Sequence, residues 1–115
     1  MKKRIVTLLL CSLTPLLASP TSAERGKEVY MQICFTCHGP HLEGGIGPAL
    51  TDPFWKHGSS PEAILDVIDN GIDGTEMMGY KNVYPEADRL ALRDFILSEQ
   101  AGVREMVRYV YPKDH

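Results

Sequence analysis

The sequence is poor in three features that mark common protein classes: repetition, basic charge and cysteine. Its 115 residues show no internal repeat, no low-complexity tract and no linker, so we expect one small domain. Basic residues are not in excess, because 12 Lys and Arg stand against 15 Asp and Glu for a formal net charge of −3. That balance excludes a general nucleic-acid binder. Only three cysteines are present, so the chemistry of each must be accounted for.

A long apolar run is also missing, apart from one at the start of the chain. Basic residues at 2–4 precede an apolar run at 5–17, and small residues follow as far as Ala23. This order predicts a secretory signal peptide over residues 1–23, and its apolar run is too short for a comfortable membrane span. We therefore expect a periplasmic protein with no stable membrane span after cleavage.

Removal of this leader changes the cysteine count. Cys11 lies inside it, and a lipoprotein interpretation of Cys11 is weak because Leu10 stands where a small residue should precede a lipidated cysteine. Cleavage leaves Cys34 and Cys37, three positions apart in an oxidising compartment. No further cysteine then remains to form a structural disulfide.

Helical signals alternate with long loops along the rest of the chain. Apolar residues repeat at helical spacing without a convincing strand, which predicts an all-α fold. Ser60 can cap a helix with Pro61 at its first position, and Asn70 followed by Gly71 can end it. Gly102 is expected to break the chain before a short extra C-terminal helix. The predicted segments are helices at 24–33, 61–70, 85–98 and 103–110, loops at 39–55 and 71–84, a core domain at 24–98 and an extension at 99–115.

One motif carries the chemistry. Cys34-Phe35-Thr36-Cys37-His38 has the pattern C-x-x-C-H. In this pattern two thiols about one helical turn apart form thioethers with the two vinyl groups of one haem, and the next residue ligates the iron. The spacing and the export signal together predict one haem c, covalently bound through Cys34 and Cys37, with His38 as a metal ligand.

Two other uses of a C-x-x-C pair fit less well. A thioredoxin-like dithiol needs βαβ elements, which the helical pattern does not provide. A zinc site needs four ligands, and the histidines that could complete one are His41, His57 and His115. His41 and His57 lie in polar loops and are interpreted as solvated rather than ligating.

The second axial ligand must come from another part of the chain. Met77 and Met78 lie in the loop after the second predicted helix, where a methionine is less easily explained as core than on a helix stripe. A thioether is a neutral, soft ligand that raises the reduction potential. This pair is predicted to supply the ligand, and simple gap-filling is the alternative for each.

These motifs resemble the class I, cytochrome c-like family of short bacterial mono-haem cytochromes, over the core domain defined above. The family's G-x-x-x-aromatic-x-x-x-C helix is present as Gly26, Tyr30 and Cys34. The resemblance implies three core helices around one covalently bound haem. It also implies that Gly26 permits a close crossing of the first and third helices, with Tyr30 packed near Leu92 and Phe95.

The same resemblance gives roles to the loop after the motif. The family's G-P-x-L sequence is present as Gly47-Pro48-Ala49-Leu50. The resemblance implies that the Pro48 carbonyl accepts a hydrogen bond from the Nδ1–H of His38, which would fix the ring and raise its basicity. It further implies that Leu50 packs on the haem face.

The ligand loop departs from the family pattern at one position. The family usually reads G-x-x-M-P-x-aromatic, and here Met78 stands in place of the proline after Met77. The spacing to Tyr80 favours Met77 over Met78 as the iron ligand. Loss of the proline loosens the loop. We hypothesise that the bond between iron and the methionine sulfur is weaker as a result. Trp55 and Tyr80 are candidates to donate hydrogen bonds to haem propionates, with core packing as the alternative for each.

The predicted function is single-electron transfer, not enzymatic catalysis. Iron that stays six-coordinate in both states reorganises little when its charge changes. The expected partners are a redox donor and acceptor, for example a periplasmic dehydrogenase and a terminal oxidase. One alternative is a cytochrome subunit of a dehydrogenase complex, which the extension at 99–115 would support. Another is a five-coordinate haem sensor or enzyme, and Met77 stands against it.

Two surface features remain open at this level. An acidic neighbourhood is either a solvated face or a docking patch for a basic partner. The apolar stripe of the extension favours packing on the domain over a partner site. The acidic residues are Asp66, Asp69, Asp73 and Glu76, and the stripe is Val103, Met106, Val107 and Val110.

Overall fold

The computed structural model describes Lys2 and residues 18–110, and within them it has four helices and no strand. The all-α prediction is confirmed. No helix in these ranges is long and apolar enough to cross a membrane. Most of the expected leader with Cys11, the side chain of Val107, and His115 lie outside the described residues. The helices are α1 (Ser22–Tyr30), α2 (Phe35–His38), α3 (Pro61–Asn70) and α4 (Glu86–Val110).

The core forms where α1 crosses α4. A Cβ at Gly26 would overlap the carbonyl oxygen of Ala91 and would lie 2.6 Å from the Cβ of Phe95. The Tyr30 and Phe95 rings pack beside this crossing with centroids 5.5 Å apart, and Leu92 is buried in the same cluster. A ring pair of this geometry contributes about 0.5–1.5 kcal/mol beyond its buried area. The crossing that was expected from Gly26 is confirmed.

α1 begins earlier and ends earlier than the predicted helix at 24–33. Thr21 caps it, because the Thr21 hydroxyl accepts from the Glu24 N–H and the Glu24 carboxylate accepts from the Thr21 N–H at 2.7 Å. This reciprocal capping box starts the helix at Ser22. After Tyr30 the chain tightens into a turn, in which the Gln32 N–H donates to the Val29 carbonyl at 3.1 Å. The turn leads directly into α2.

α3 has the ends that its sequence predicts. The Ser60 hydroxyl accepts a hydrogen bond from the Ala63 N–H at 3.1 Å, and a proline occupies the first helical position. Gly71 ends the helix with φ of 71°, a left-handed conformation that costs glycine little. Ile64 and Ile68 are buried in the core cluster and place α3 against α4.

α4 runs without interruption from Glu86 to Val110, so the break expected at Gly102 is wrong. A mid-helix glycine costs about 1 kcal/mol relative to alanine. The strong helix formers around Gly102, at 99–101 and 104–106, offset that cost. The short extra helix expected at the C-terminus is therefore the last part of α4.

Contacts between α4 and the rest of the domain reach two residues beyond the expected boundary at Ser98. Gln100 is 3% exposed, and its Nε2 donates to the Leu50 carbonyl at 3.1 Å. Beyond it, Met106 and Val110 face outward and are exposed, whereas Val103, 36% exposed, lines a small cavity with Thr51 and Pro53. The packing on the domain that was expected for the stripe is wrong for Met106 and Val110.

Candidate cofactor site

α2 is a single helical turn that carries the C-x-x-C-H motif. Cys34 stands at its N-cap, and the His38 N–H donates to the Cys34 carbonyl at 3.0 Å. The two thiols are free and half-buried. Burial raises the pKa of the Cys34 thiol to about 11. The two cysteines thus lie one turn apart with Cys34 packed against the core, as attachment to one porphyrin edge requires.

The loop after α2 returns to the His38 ring. The Nδ1 of His38 lies 2.8 Å from the Pro48 carbonyl oxygen, so the contact implied by the sequence resemblance is present. The Gly47 N–H donates to the Cys37 carbonyl at 2.9 Å. A Cβ at Gly47 would lie 2.9 Å from the His38 Cε1, so glycine lets the loop approach the ring closely. This arrangement leaves the Nε2 of His38 as the nitrogen available for a metal.

The loop with the two methionines is folded back against α3. An isolated bridge joins Gly71 to Met78, and the Ile72 N–H donates to the Met77 carbonyl at 2.9 Å. The Tyr80 N–H then donates to the Ile68 carbonyl at 2.8 Å. Met77 is half-buried, whereas Met78 is 55% exposed.

Glycine allows this close contact between loop and helix. A Cβ at Gly71 would lie 2.5 Å from the Met77 carbonyl oxygen, and one at Gly79 would lie 2.5 Å from the Asp69 carbonyl oxygen. At both positions a Cβ would therefore clash with backbone atoms across the loop. The backbone around Met77 therefore packs directly against the end of α3.

An ion pair that the sequence reasoning missed joins α3 to α4. Arg89, only 7% exposed, pairs with Asp69, and its Nε donates to the Tyr84 carbonyl at 3.1 Å. Asp69 is therefore not a free member of the acidic neighbourhood, which corrects its interpretation as a solvated or docking residue. Arg89 stands three residues before Leu92 and so shares its buried face, a spacing that could have revealed the contact.

Three other predicted residues lie around the same core cluster. Leu50, Trp55 and Tyr80 are partly buried and pack against it. The Trp55 Nε1–H donates to the Asp52 carbonyl at 3.0 Å, which uses the indole donor locally and favours the packing interpretation. Burial, and then the nearby Cys34 thiol, raise the pKa of Tyr80.

Leu42 is a core residue that the sequence reasoning did not find. It is fully buried although it lies in the long loop, and its φ of 60° is left-handed. The Leu50 N–H donates to its carbonyl at 2.9 Å. The loop therefore wraps the core instead of spanning solvent. The helical and alternating patterns that reveal core residues do not apply inside such a loop.

The donor set fits a covalently attached haem better than the two alternatives. Within residues 18–110 there is no strand for a thioredoxin-like fold, and no cluster of three or more His, Cys, Asp or Glu side chains could hold a metal. His41 and His57 are exposed. By contrast, Cys34 packs against the apolar core, and Cys37, the oriented His38 ring and Met77 are half-buried.

An all-α domain of this kind, with a C-x-x-C-H turn, a backbone-anchored histidine and a downstream methionine loop, defines the class I c-type cytochromes. Residues 21–96 match the family model described as cytochrome c oxidase, cbb3-type, subunit III, and the chain belongs to that family. It is a cytochrome c electron-transfer protein.

Relatives of known name agree with this assignment. The chain is 31% identical over 100 residues to cytochrome c55X of Paracoccus denitrificans (strain Pd 1222), covering 84% of this chain and 96% of the relative. It is 35% identical over 84 residues to cytochrome c55X of Stutzerimonas stutzeri, covering 70% and 74%. The crystal structure of cytochrome cL from Hyphomicrobium denitrificans superposes with a TM-score of 0.62 at 27% identity. That alignment covers 66% of this chain and 46% of cytochrome cL, so this chain spans about half of that protein.

Proposed function

We propose that this chain is an exported mono-haem cytochrome that passes single electrons between redox proteins in the periplasm. Haem c, attached through Cys34 and Cys37, supplies the one-electron redox centre when bound. His38 and Met77 are the proposed axial ligands. The observation that carries the proposal is the 2.8 Å contact of His38 Nδ1 with the Pro48 carbonyl, on the turn that bears both thiols.

His38 is prepared for its proposed role by this contact. A carbonyl oxygen can only accept, so the proton of the neutral imidazole is held on Nδ1. The Nε2 lone pair is then free to ligate iron, and the hydrogen bond raises its basicity. The close approach of Gly47 keeps the ring from turning away.

Met77 is supported over Met78 by burial. Met77 is half-buried, whereas Met78 is exposed. A thioether ligand raises the reduction potential and keeps the sixth position closed to diatomic ligands.

The proposed partners are a redox donor and a redox acceptor, for example a periplasmic dehydrogenase and a terminal oxidase. Three acidic side chains near the methionine loop are exposed and support docking of a basic partner, because complementary charge speeds encounter. They are Asp66, Asp73 and Glu76. The expected signal peptide supports the periplasmic location.

Visible spectra of the exported holoprotein test the proposal. We expect a sharp split reduced spectrum, a weak Fe–S charge-transfer band when oxidised, and no response to carbon monoxide. Met77→Ala should abolish the band and admit carbon monoxide, whereas the matched variant Met78→Ala should retain the wild-type spectra. Loss of the band in Met78→Ala alone would make Met78 the ligand. Rapid carbon monoxide binding by the wild type would favour a five-coordinate sensor or enzyme.

A second candidate role is that of a cytochrome subunit within a dehydrogenase complex. The apolar residues Met106 and Val110 at the end of α4 favour it, because their side chains are 65% and 56% exposed. Truncation of this segment distinguishes the two roles, as argued below.

A further inference from the structure

The tip of the methionine loop is a tight turn from Ile72 to Thr75. Thr75 donates twice to the Ile72 carbonyl, from its backbone N–H at 3.2 Å and from its hydroxyl at 2.7 Å. Gly74 takes the left-handed conformation that the turn needs, with φ of 75°. The Thr75 side chain is thereby held against the backbone of Ile72, where the turn begins.

The same hydroxyl also receives a hydrogen bond from the next part of the loop. The Met77 N–H donates to the Thr75 Oγ1 at 3.2 Å. On its other side, the Met77 carbonyl accepts from the Ile72 N–H at 2.9 Å. Thr75 and Ile72 together therefore hold both polar groups of the Met77 backbone.

Little else at the tip restrains Met77. A Cβ at Gly74 would meet open space, and Glu76 is exposed. Met78, which follows, is also exposed, and its backbone φ is not fixed by a ring as a proline's would be. The hydrogen bonds from Met77 to the Thr75 hydroxyl and from that hydroxyl to Ile72 thus add a side-chain restraint at the tip to the backbone contacts of Met77 with Gly71 and Ile72.

We infer that Thr75 is a positioning residue for Met77, and that its hydroxyl holds the thioether in place for ligation. This inference rests on the proposed assignment of Met77 as an axial ligand. Without the hydroxyl, the Met77 N–H loses its partner and the Ile72 carbonyl keeps the Thr75 N–H alone, so the loop gains freedom to move Met77 away from iron. An added imidazole should then displace the thioether more easily.

The experiment measures the affinity of imidazole for the oxidised holoprotein, from loss of the Fe–S band on titration. Thr75→Val removes the hydroxyl at nearly constant volume. We expect the affinity for imidazole to rise about five-fold, which corresponds to the net free energy of one hydrogen bond. Thr75→Ser restores a hydroxyl and should stay near the wild type. Ser98→Ala is the matched control, because it removes a hydroxyl that donates to the Phe95 carbonyl at 2.7 Å within α4.

Three results would overturn the inference. They are an unchanged imidazole affinity in Thr75→Val, an equal rise in Thr75→Ser, and an equal rise in Ser98→Ala. Thr75→Ala, measured beside Thr75→Val, separates loss of the hydroxyl from any strain of the added methyl group. Met77→Ala tests the ligand assignment separately from the role of Thr75, since an Fe–S band that survives in that variant contradicts the assignment of Met77 as the ligand.

Discussion

Residue 47 determines how closely the loop after α2 can approach the His38 ring. A Cβ there would lie 2.9 Å from Cε1 and 3.1 Å from Nδ1, so alanine must displace the ring or the Pro48 carbonyl that it contacts. We expect Gly47→Ala to lower the free energy of unfolding of the holoprotein by about 1–3 kcal/mol and to shift the reduction potential. Denaturant unfolding and a redox titration measure the two effects. Gly45→Ala is the control, because its Cβ would meet only the Cys37 carbonyl at 3.2 Å, and equal effects in both variants would contradict this account.

The ion pair between Arg25 and Asp88 gives a pH-dependent contribution to stability. The Arg25 Nε and Nη2 donate to the two Asp88 oxygens at 2.9 and 2.8 Å, and these bonds lower the pKa of Asp88 below its ordinary value of 3.8. Because the folded-state pKa is depressed, the stabilisation is complete above the ordinary pKa of 3.8 and is lost as the pH falls from there through the lowered pKa. Asp88→Asn should therefore lower the thermal midpoint modestly at neutral pH, and the difference should vanish in acid. Glu28→Gln, which breaks the other, more exposed pair of Arg25, should change less at neutral pH.

At the level of single residues, the sequence was most informative where the chemistry requires a fixed spacing. The contact of His38 with Pro48 followed from the resemblance of two short motifs. The pairing of Arg89 with Asp69 did not, because it joins two helices whose relative placement no local pattern specifies. Thr75 was missed for a similar reason, since a hydroxyl that bridges a turn has the same sequence appearance as any loop threonine.

The contrasting glycines 26 and 102 show what sets the packing of the helices. Gly26 is pressed against the backbone of Ala91, so Gly26→Ala should separate α1 from α4 and cost about 1–3 kcal/mol or more of unfolding free energy. Gly102 lies in α4 with open space around it, so Gly102→Ala should stabilise the protein by up to about 1 kcal/mol through helix propensity alone. Chemical denaturation of both holoproteins measures the pair. A stabilised Gly26→Ala variant would show that the helices can separate at no cost.

At the level of elements, both ends of α3 were predictable, whereas the start of α1 and the extent of α4 were not. The cap and proline at Ser60 and Pro61 fix the start of α3 locally, and the structure confirms it. The extent of α4 depends on a sum of propensities over many residues, in which one glycine is outweighed. The start of α1 at Ser22 depends on a capping box formed by Thr21, a residue that the sequence interpretation had assigned to the leader.

On the scale of the whole molecule, the crossing of α1 and α4 supports the site. The C-x-x-C-H turn, the loop at 39–60 and the methionine loop are attached to this crossing by specific bonds. These include the Tyr30 hydroxyl, which donates to the Gly39 carbonyl at 2.6 Å, and Gln100, which donates to the Leu50 carbonyl. The ligand-bearing loops thus depend on residues from both ends of the domain.

The end of α4 can be removed without disturbing that support, provided that Gln100 is kept. Truncation after Ala101 removes the exposed Val103, Met106 and Val110, and we expect the unfolding free energy to change by less than about 0.5 kcal/mol with unchanged spectra. Truncation after Ser98 also removes Gln100 and should cost about 1–3 kcal/mol, because the Leu50 carbonyl loses its partner.

Native gels of periplasmic extract, stained for haem, then separate the two proposed roles. If the protein is a subunit of a larger complex, the full-length chain should give a band of high mass, and truncation after Ala101 should convert it to the mass of the free cytochrome. A free carrier should run at its own low mass with or without the segment. If truncation after Ala101 instead destabilises the fold as much as truncation after Ser98, the segment is structural, and its exposed apolar residues are not the docking surface that the subunit role requires.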